Sequence, residues 1–289
     1  MHPISFALIL VMVAAFFVPA SKRVSLTLSL TTANIAIFIV IYLVRTLSIT
    51  GYMVFYELAY SPVYLHKAKM LYTLFTSMFL HASVLHILSN MVFFAILGIR
   101  FEEMWGYPRV ALVYIISGIF GALAYTFANP DSTVLLVGAS GAIFGVLGAF
   151  AAIYPRERVI VPIPIGPILL LREVPVFFAF IAYALIETLL AVIEPTDTVA
   201  HVSHLGGVIA GIVFAKIINA IAPPRIVERG GKRQKIDLRI LAPLATSERM
   251  REIYDRIMKE DVDEVRMQWV DEFIAMAVCP SCGRKGVLR

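Results

Sequence analysis

Charge is scarce in this chain and cysteine is nearly absent. Only 16% of the 289 residues are charged, and the two cysteines, Cys279 and Cys282, both lie near the C-terminal end. A disulfide scaffold is therefore excluded. The net charge of +5 is spread over loops and the tail rather than concentrated, so nucleic acid is not an expected partner. What fills the remainder is apolar: 60% of residues are hydrophobic and the mean hydropathy is +0.84. Several runs approach the roughly 20 residues needed to cross a hydrocarbon core. The expected fold class is an all-α polytopic membrane protein.

Seven spans are predicted, at about 3–19, 26–47, 81–98, 108–128, 134–154, 174–193 and 199–221. Lys22, Arg23, Arg100, Arg109, Arg156, Arg158, Arg172 and the tail from Arg225 fall on one side. The other side has only Arg45, Lys67 and Lys69, with Asp131, Glu194 and Asp197. The positive-inside rule then predicts a multi-pass protein of the cell membrane, with the N-terminus outside and the C-terminus cytosolic. Val18-Pro19-Ala20 before Ser21 resembles a signal-cleavage site, but no positive charge opens the segment, so the first span is expected to be retained.

The tail is a different material, with 14 of the 25 Lys/Arg and 11 of the 20 Asp/Glu in residues 223–289. Its start, Ala222 to Lys235, reads as a basic juxtamembrane linker suited to anionic headgroups. Ser247 opens an amphipathic segment carrying Met250, Ile253, Ile257 and Met258. A second begins near Asp261 with Val262, Val265, Trp269 and Phe273, so a small helical hairpin is expected. Cys279-Pro280-Ser281-Cys282-Gly283 looks like one knuckle of a zinc ribbon, or the degenerate remnant of one. A tetrahedral zinc site needs four ligands and the tail has no other cysteine or histidine, so closing one would take a second chain. The expected divisions are an extra N-terminal span (1–23), a six-helix core (24–221) and a cytosolic tail (222–289) with an unidentified cytosolic partner.

Against this apolar background a few polar residues stand out. Gly138-Ala139-Ser140-Gly141 begins the fifth span, His204 lies early in the seventh, and His81, His86 and Asn90 lie in the first turns of the third. In the topology above these three helices run in the same direction. Ser140 would lie roughly 9 Å into its helix, counted from Val134 at 1.5 Å per residue. The polar groups then share one depth in the outer leaflet.

Gly141, Gly145, Gly148 and Ala152 form one stripe on the fifth span, while Gly207 and Gly211 share the face of His204. Small stripes of this kind let helices approach closely in lipid. Such a crossing would bring Ser140 to His204, with Phe144 packed on the imidazole. A serine hydroxyl becomes nucleophilic when a neighbouring base takes its proton, and imidazole is suited to that near neutral pH. His86 and Asn90, four residues apart on one helix face, and the backbone N–H of Ser140 are the candidate oxyanion donors. His81, roughly 140° round a helix from His86, is expected to tie down the preceding loop. His201 competes with His204 as base. No acid to complete a triad is obvious: Glu187, within the sixth span, could orient a histidine or line a gate, and a charge at mid-bilayer costs at least ~3 kcal/mol. The site therefore reads as a Ser–His dyad.

Taken singly, each piece has a plainer explanation. A Gly-x-Ser-Gly run can be close packing, an intramembrane histidine a proton relay, and Asn90 interhelical glue. The combination is what points to hydrolysis.

These residues resemble the rhomboid family of intramembrane serine proteases. The resemblance rests on His81-x4-His86-x3-Asn90, Gly138-Ala139-Ser140-Gly141 continuing to Gly145, and His204-x2-Gly207-x3-Gly211, and covers about residues 24–221. It implies that Ser140 is the nucleophile, His204 the base, and His86 and Asn90 the oxyanion donors. It further implies cleavage of single-span membrane proteins near the outer face, without ATP or metal. Glu102 matches a glutamate that helps anchor the first loop, here about 50–80. The Trp-Arg pair usual in that loop is missing, and Tyr72 or the Lys67–Lys69 stretch is the expected substitute. Lateral substrate entry would make the sixth span and the loop at 194–199 the moving parts. The rival reading is a catalytically silent relative that binds transmembrane clients; a proton-coupled transporter would predict an inverted repeat, which is not seen.

Overall fold

The computed structural model describes residues 1–22, 24–165, 168–193, 201–222, 238–260 and 263–277. They form two compact units, Met1–Pro224 and Arg225–Arg289. The first is a polytopic all-α bundle whose long helices are α1 (Pro3–Lys22), α2 (Leu26–Leu47), α5 (Val84–Trp105), α6 (Tyr107–Ala128), α7 (Ser140–Ile153), α8 (Val176–Ile193) and α9 (His201–Ile221). Short helices α3 (Thr50–Leu58) and α4 (Thr73–Thr76) lie in the loop between α2 and α5. Among the described residues five helices are long and apolar enough to cross a membrane: α1, α2, α5, α6 and α9.

Local chemistry sets the ends of these elements. Ser25 caps α2, and the Ser83 hydroxyl accepts the His86 N–H to cap α5. α5 passes into α6 through Gly106 alone; its φ of +88° is a conformation glycine adopts without steric penalty, and Pro108 follows in the first turn of α6. Ser83 makes the third span start later than expected, at Val84 rather than 81.

The fifth span is also shorter than expected, because residues 134–139 are not helical. Leu136 pairs with Tyr60 as an isolated bridge (N–H to O 2.7 Å), and Gly138 N–H donates to Ser77 O at 3.0 Å. The chain spends its backbone hydrogen bonds on the neighbouring loop there, and α7 begins at Ser140. Gly141 to Ala151 are all buried, so this helix is the centre of the bundle.

Side-chain contacts fix the directions of the helices. Ser140 meets His204, Gly145 packs against Gly207, and Gly148 packs against Val208 and Ile212, so α7 and α9 run together. Phe93 packs with Phe144 and Phe101 with Phe150, which makes α5 parallel to both. α6 runs against α9, with Gly121 at Ser203 and Trp105, just before α6, donating to Asn219.

Glu102 is a correction to the sequence reading. Its carboxylate accepts from the N–H of Leu26 (2.6 Å) and Thr27 (2.9 Å) and from the hydroxyls of Ser25 (2.8 Å) and Thr27 (2.9 Å). It therefore caps α2, at the far end of α5 from the first loop, where a negative charge suits the helix N-terminus. The loop itself is held by Glu57, which accepts from His2 N–H (2.8 Å) and the Ser5 hydroxyl (2.6 Å) of α1. Within it the Tyr72 hydroxyl donates to Glu57 O (2.7 Å) and the Thr76 hydroxyl to Leu58 O (2.6 Å). Tyr72 is thus a loop clamp, while Lys67 lies over the Tyr64 ring.

Between α7 and α8, a stretch read in sequence only as a charged loop, the chain forms an antiparallel hairpin of β1 (Arg158–Ile165) and β2 (Ile168–Pro175). In the second unit α10 (Glu248–Lys259) and α11 (Asp263–Met276) pack as a hairpin, with Ser247 capping α10. Met250, Ile253 and Ile257 are buried there with Leu241, Val270, Phe273 and Ala277. Met258 and Val265, expected on the buried faces, are exposed; Val270 takes the place expected of Val265. Val262, the linker 223–235, the 194–199 loop and Cys279 with Cys282 lie outside the described residues.

Candidate active site

Ser140 is the first residue of α7, and His204 stands in the first turn of α9. The His204 Nε2 to Ser140 Oγ distance is 2.7 Å, a hydrogen bond. Glycine makes that distance attainable. A Cβ on Gly207 would overlap the carbonyl oxygen of Gly141, and one on Gly211 that of Gly145. The two backbones touch directly, as the small-residue stripes predicted. Gly148 is a looser member, where a Cβ would stand 3.0 Å from Val208 O.

The imidazole of His204 is held flat against Phe144, with ring centroids 4.6 Å apart and an interplanar angle of 19°. Tyr183 of α8 backs Phe144 edge-on at 5.7 Å and lies 4.5 Å from Phe93. Tyr183 and Phe93 carried no signal in the sequence beyond being aromatic among many. His201 lies close by, its ring perpendicular to that of His204 at 6.2 Å, but it is His204 that bonds Ser140.

Gly138 lies between Ser140 and His86. Its φ is +129°, and a Cβ there would lie 2.9 Å from His86 Nε2 and 3.6 Å from Ser140 Oγ. His86 and Ser140 thus flank one small space, which a side chain at 138 would occupy. Asn90, one turn below His86, is buried at 8% exposure, and its Nδ2 has no acceptor within the described protein. A buried donor of this kind normally has a partner.

His81 does not behave as the helical argument expected. It precedes α5, so the 140° offset does not apply. Its ring packs edge-on against His86 with centroids 5.0 Å apart, and neither nitrogen has a hydrogen-bond partner within the described protein. It supports the His86 ring rather than tying the loop through hydrogen bonds. Burial at 3% exposure holds the His81 imidazole down at about 3, with the nearby His86 adding to the effect.

Two further residues escaped the sequence reading. Gly121 of α6 would collide with Ser203 O if it carried a Cβ, so α6 closes on α9 just beside His204. Ser77 O accepts the Gly138 N–H and so holds the segment leading to Ser140. The spacing Ser117, Gly121, Ala124 on α6 is the small-residue signal for the first; the second depends on long-range pairing. Among the described residues no group of three or more His, Cys, Asp or Glu is set to hold a metal. Glu187 lies on α8, and its side chain falls outside the described residues.

The family model described as the Rhomboid domain matches residues 68–220, more than half of the chain and all of the site. This protein is a rhomboid. RHOMBOID-like protein 1 of Arabidopsis thaliana is 45% identical over 84 residues, 29% of this chain and 21% of that protein. Rhomboid-like protease 3 of Toxoplasma gondii is 29% identical over 175 residues, 61% of this chain and 59% of that protein. Rhomboid-related protein 1 of Caenorhabditis elegans is 29% identical over 146 residues, 50% and 39% of the two chains. The matches to the plant rhomboids span about a fifth to a quarter of their lengths. The chain is thus a multi-pass membrane protein of the rhomboid family, and one of these relatives is named as a protease.

Proposed function

We propose that this rhomboid is a serine endopeptidase that cleaves transmembrane segments of single-span proteins with a Ser140–His204 dyad. The observation that carries the reading is the 2.7 Å bond between Ser140 Oγ and His204 Nε2. His204 takes the hydroxyl proton as Ser140 Oγ attacks the scissile carbonyl carbon. The negative charge develops on the carbonyl oxygen, toward Asn90 Nδ2, the His86 ring and the backbone N–H of Ser140. That N–H opens α7, where first-turn N–H groups lack helical acceptors. When the C–N bond breaks, the proton on His204 passes to the leaving amine. Water then attacks the acyl-Ser140 ester with His204 again as base, releasing the second product.

An intact substrate helix keeps its carbonyls bonded within itself. It must unwind at the cut, so helix-weakening glycine or proline and small residues are expected there. The cut lies near the face where α5, α7 and α9 begin, which the loop charges assign to the outside, with the C-terminal unit in the cytosol. Substrate enters laterally past α8.

The test is labelling of the detergent-purified protein with a fluorophosphonate serine probe, beside Ser140→Ala and His204→Ala. Labelling lost in both supports the dyad. Loss in His201→Ala but not in His204→Ala would transfer the role of base to His201. No labelling of a folded parent protein would favour the client-binding reading.

A further inference from the structure

The link between α7 and α8 is too apolar for a loop in water. Between Arg158 and Arg172 run Val159-Ile160-Val161-Pro162-Ile163-Pro164-Ile165-Gly166-Pro167-Ile168-Leu169-Leu170-Leu171, without one charged or hydrogen-bonding side chain. Its backbone pairs as a ribbon from Arg158↔Pro175 to Ile165↔Ile168. Alternate residues share a face of a strand. Here both alternating sets are apolar, so neither face of the ribbon is polar. A lone two-stranded hairpin is marginal in water at best.

The backbone edges carry a second signal. Val176 N–H donates to Glu157 O at 2.7 Å, which sets the phase of the ladder. By the register, residues 159, 161, 163 and 165 bond across the ribbon, and 160, 162 and 164 turn their backbone groups outward. Two of those three are Pro162 and Pro164, which have no N–H. The β1 edge is thus stripped of most of its donors. On β2 the outward positions are Leu169, Leu171 and Glu173, and Glu173 O accepts from the Arg158 guanidinium at 3.1 Å.

Charge is confined to the base. Arg156 and Glu157 precede β1, which opens with Arg158, and Arg172 and Glu173 lie on β2, with Arg100 of α5 bonded to Glu157. Arg156 and Arg172 are exposed and make no ion pair among the described residues. The hairpin also lies at the opposite end of α7 from Ser140, 14 residues or about 21 Å away.

We infer that the β1–β2 hairpin is a lipid-binding element, seated in the headgroup–acyl boundary of the leaflet opposite the catalytic layer. Its apolar residues take the place of acyl surface, and Arg156 and Arg172 meet anionic headgroup phosphates. The depth is shallow, because the Leu169 and Leu171 N–H groups need acceptors that headgroups and water supply and hydrocarbon does not. Val159, Val161 and Val174 at the base pack on the bundle core, and α8 follows directly at Val176, so the anchor fixes the foot of that helix. The inference rests on the chain spanning a bilayer and not on its chemistry.

The test uses the full chain with Cys279→Ser and Cys282→Ser and one new cysteine, Ile163→Cys or Leu169→Cys, carrying an NBD fluorophore. Asp131→Cys, in an exposed loop, is the aqueous reference. In vesicles of phosphatidylcholine and phosphatidylglycerol, both hairpin positions should emit to the blue of the reference. They should be quenched several-fold more strongly by lipids bearing a doxyl group near the headgroup, and less by one deep in the chain. Water-like emission at both positions, with an unchanged thermal transition, would overturn the assignment. Blue-shifted emission that no lipid quencher reaches would also overturn it, because the ribbon would then be covered by protein.

Discussion

Replacing Gly207 by alanine should disable the proposed dyad without altering Ser140 or His204. The added Cβ overlaps the Gly141 carbonyl oxygen, a backbone atom that cannot rotate away. The two helices must part, and Ser140 and His204 ride one on each. Restoring ordinary contact needs a separation on the order of 1 Å, and a misplacement of that size costs ~10²-fold in rate. The overpacking itself should destabilise the bundle by about 1–3 kcal/mol. The glycines also predict a gradient. Gly211→Ala meets Gly145 O and should match Gly207→Ala. Gly148→Ala, at 3.0 Å from Val208 O, should be milder, and Gly141→Ala, at 3.3 Å from the movable Ser203 hydroxyl, milder still. The assay is the rate of fluorophosphonate labelling at equal folded fraction, with a thermal midpoint for each variant. Labelling of Gly207→Ala at the parent rate, or a Gly141→Ala more impaired than Gly207→Ala, would refute the reasoning.

Three other outcomes are expected. Asn90→Ala should lower kcat for cleavage of a transmembrane substrate by about 10²–10³-fold, with KM little changed, since one oxyanion donor is worth that much. Glu102→Ala removes the acceptor of four hydrogen bonds at the start of α2 and should cost about 2 kcal/mol, read as a lower thermal midpoint with the labelling chemistry intact. His81, held at about 3 in the fold and near its ordinary ~6.5 when unfolded, contributes no pH dependence above ~6.5 and withdraws stability as pH falls from there toward 3. Thermal midpoints across that range should fall in the parent more steeply than in His81→Gln.

The Ser140–His204 contact was legible because its parts are local. Serine in a glycine run, histidine on a glycine face and the i, i+4 pair of His86 and Asn90 each show in one helix, and helical periodicity aligns them. What depends on distant partners was not legible. The start of α7 at Ser140 follows from pairing of 134–139 with Tyr60 and Ser77, far away in sequence. Glu102 found α2 rather than the loop for the same reason. The prolines of the hairpin read as loop because their strand role depends on which way the missing N–H would point, and register alone reveals that. His81 was misjudged because a cap at Ser83, not the apolar run, decides where the helix begins.

The bonds from Leu136 N–H to Tyr60 O (2.7 Å) and from Gly138 N–H to Ser77 O (3.0 Å) have a consequence for thermodynamic linkage. The peptide that leads into Ser140 is clamped to the α2–α5 loop, so every opening of these two bonds loosens Ser140. Occupancy of the site and closure of the clamp must then favour each other reciprocally. A reversible inhibitor at about 100 times its Kd should slow amide exchange at Leu136 and Gly138 by up to ~10²-fold. Those two amides are therefore a local gauge of how often the unliganded site is assembled.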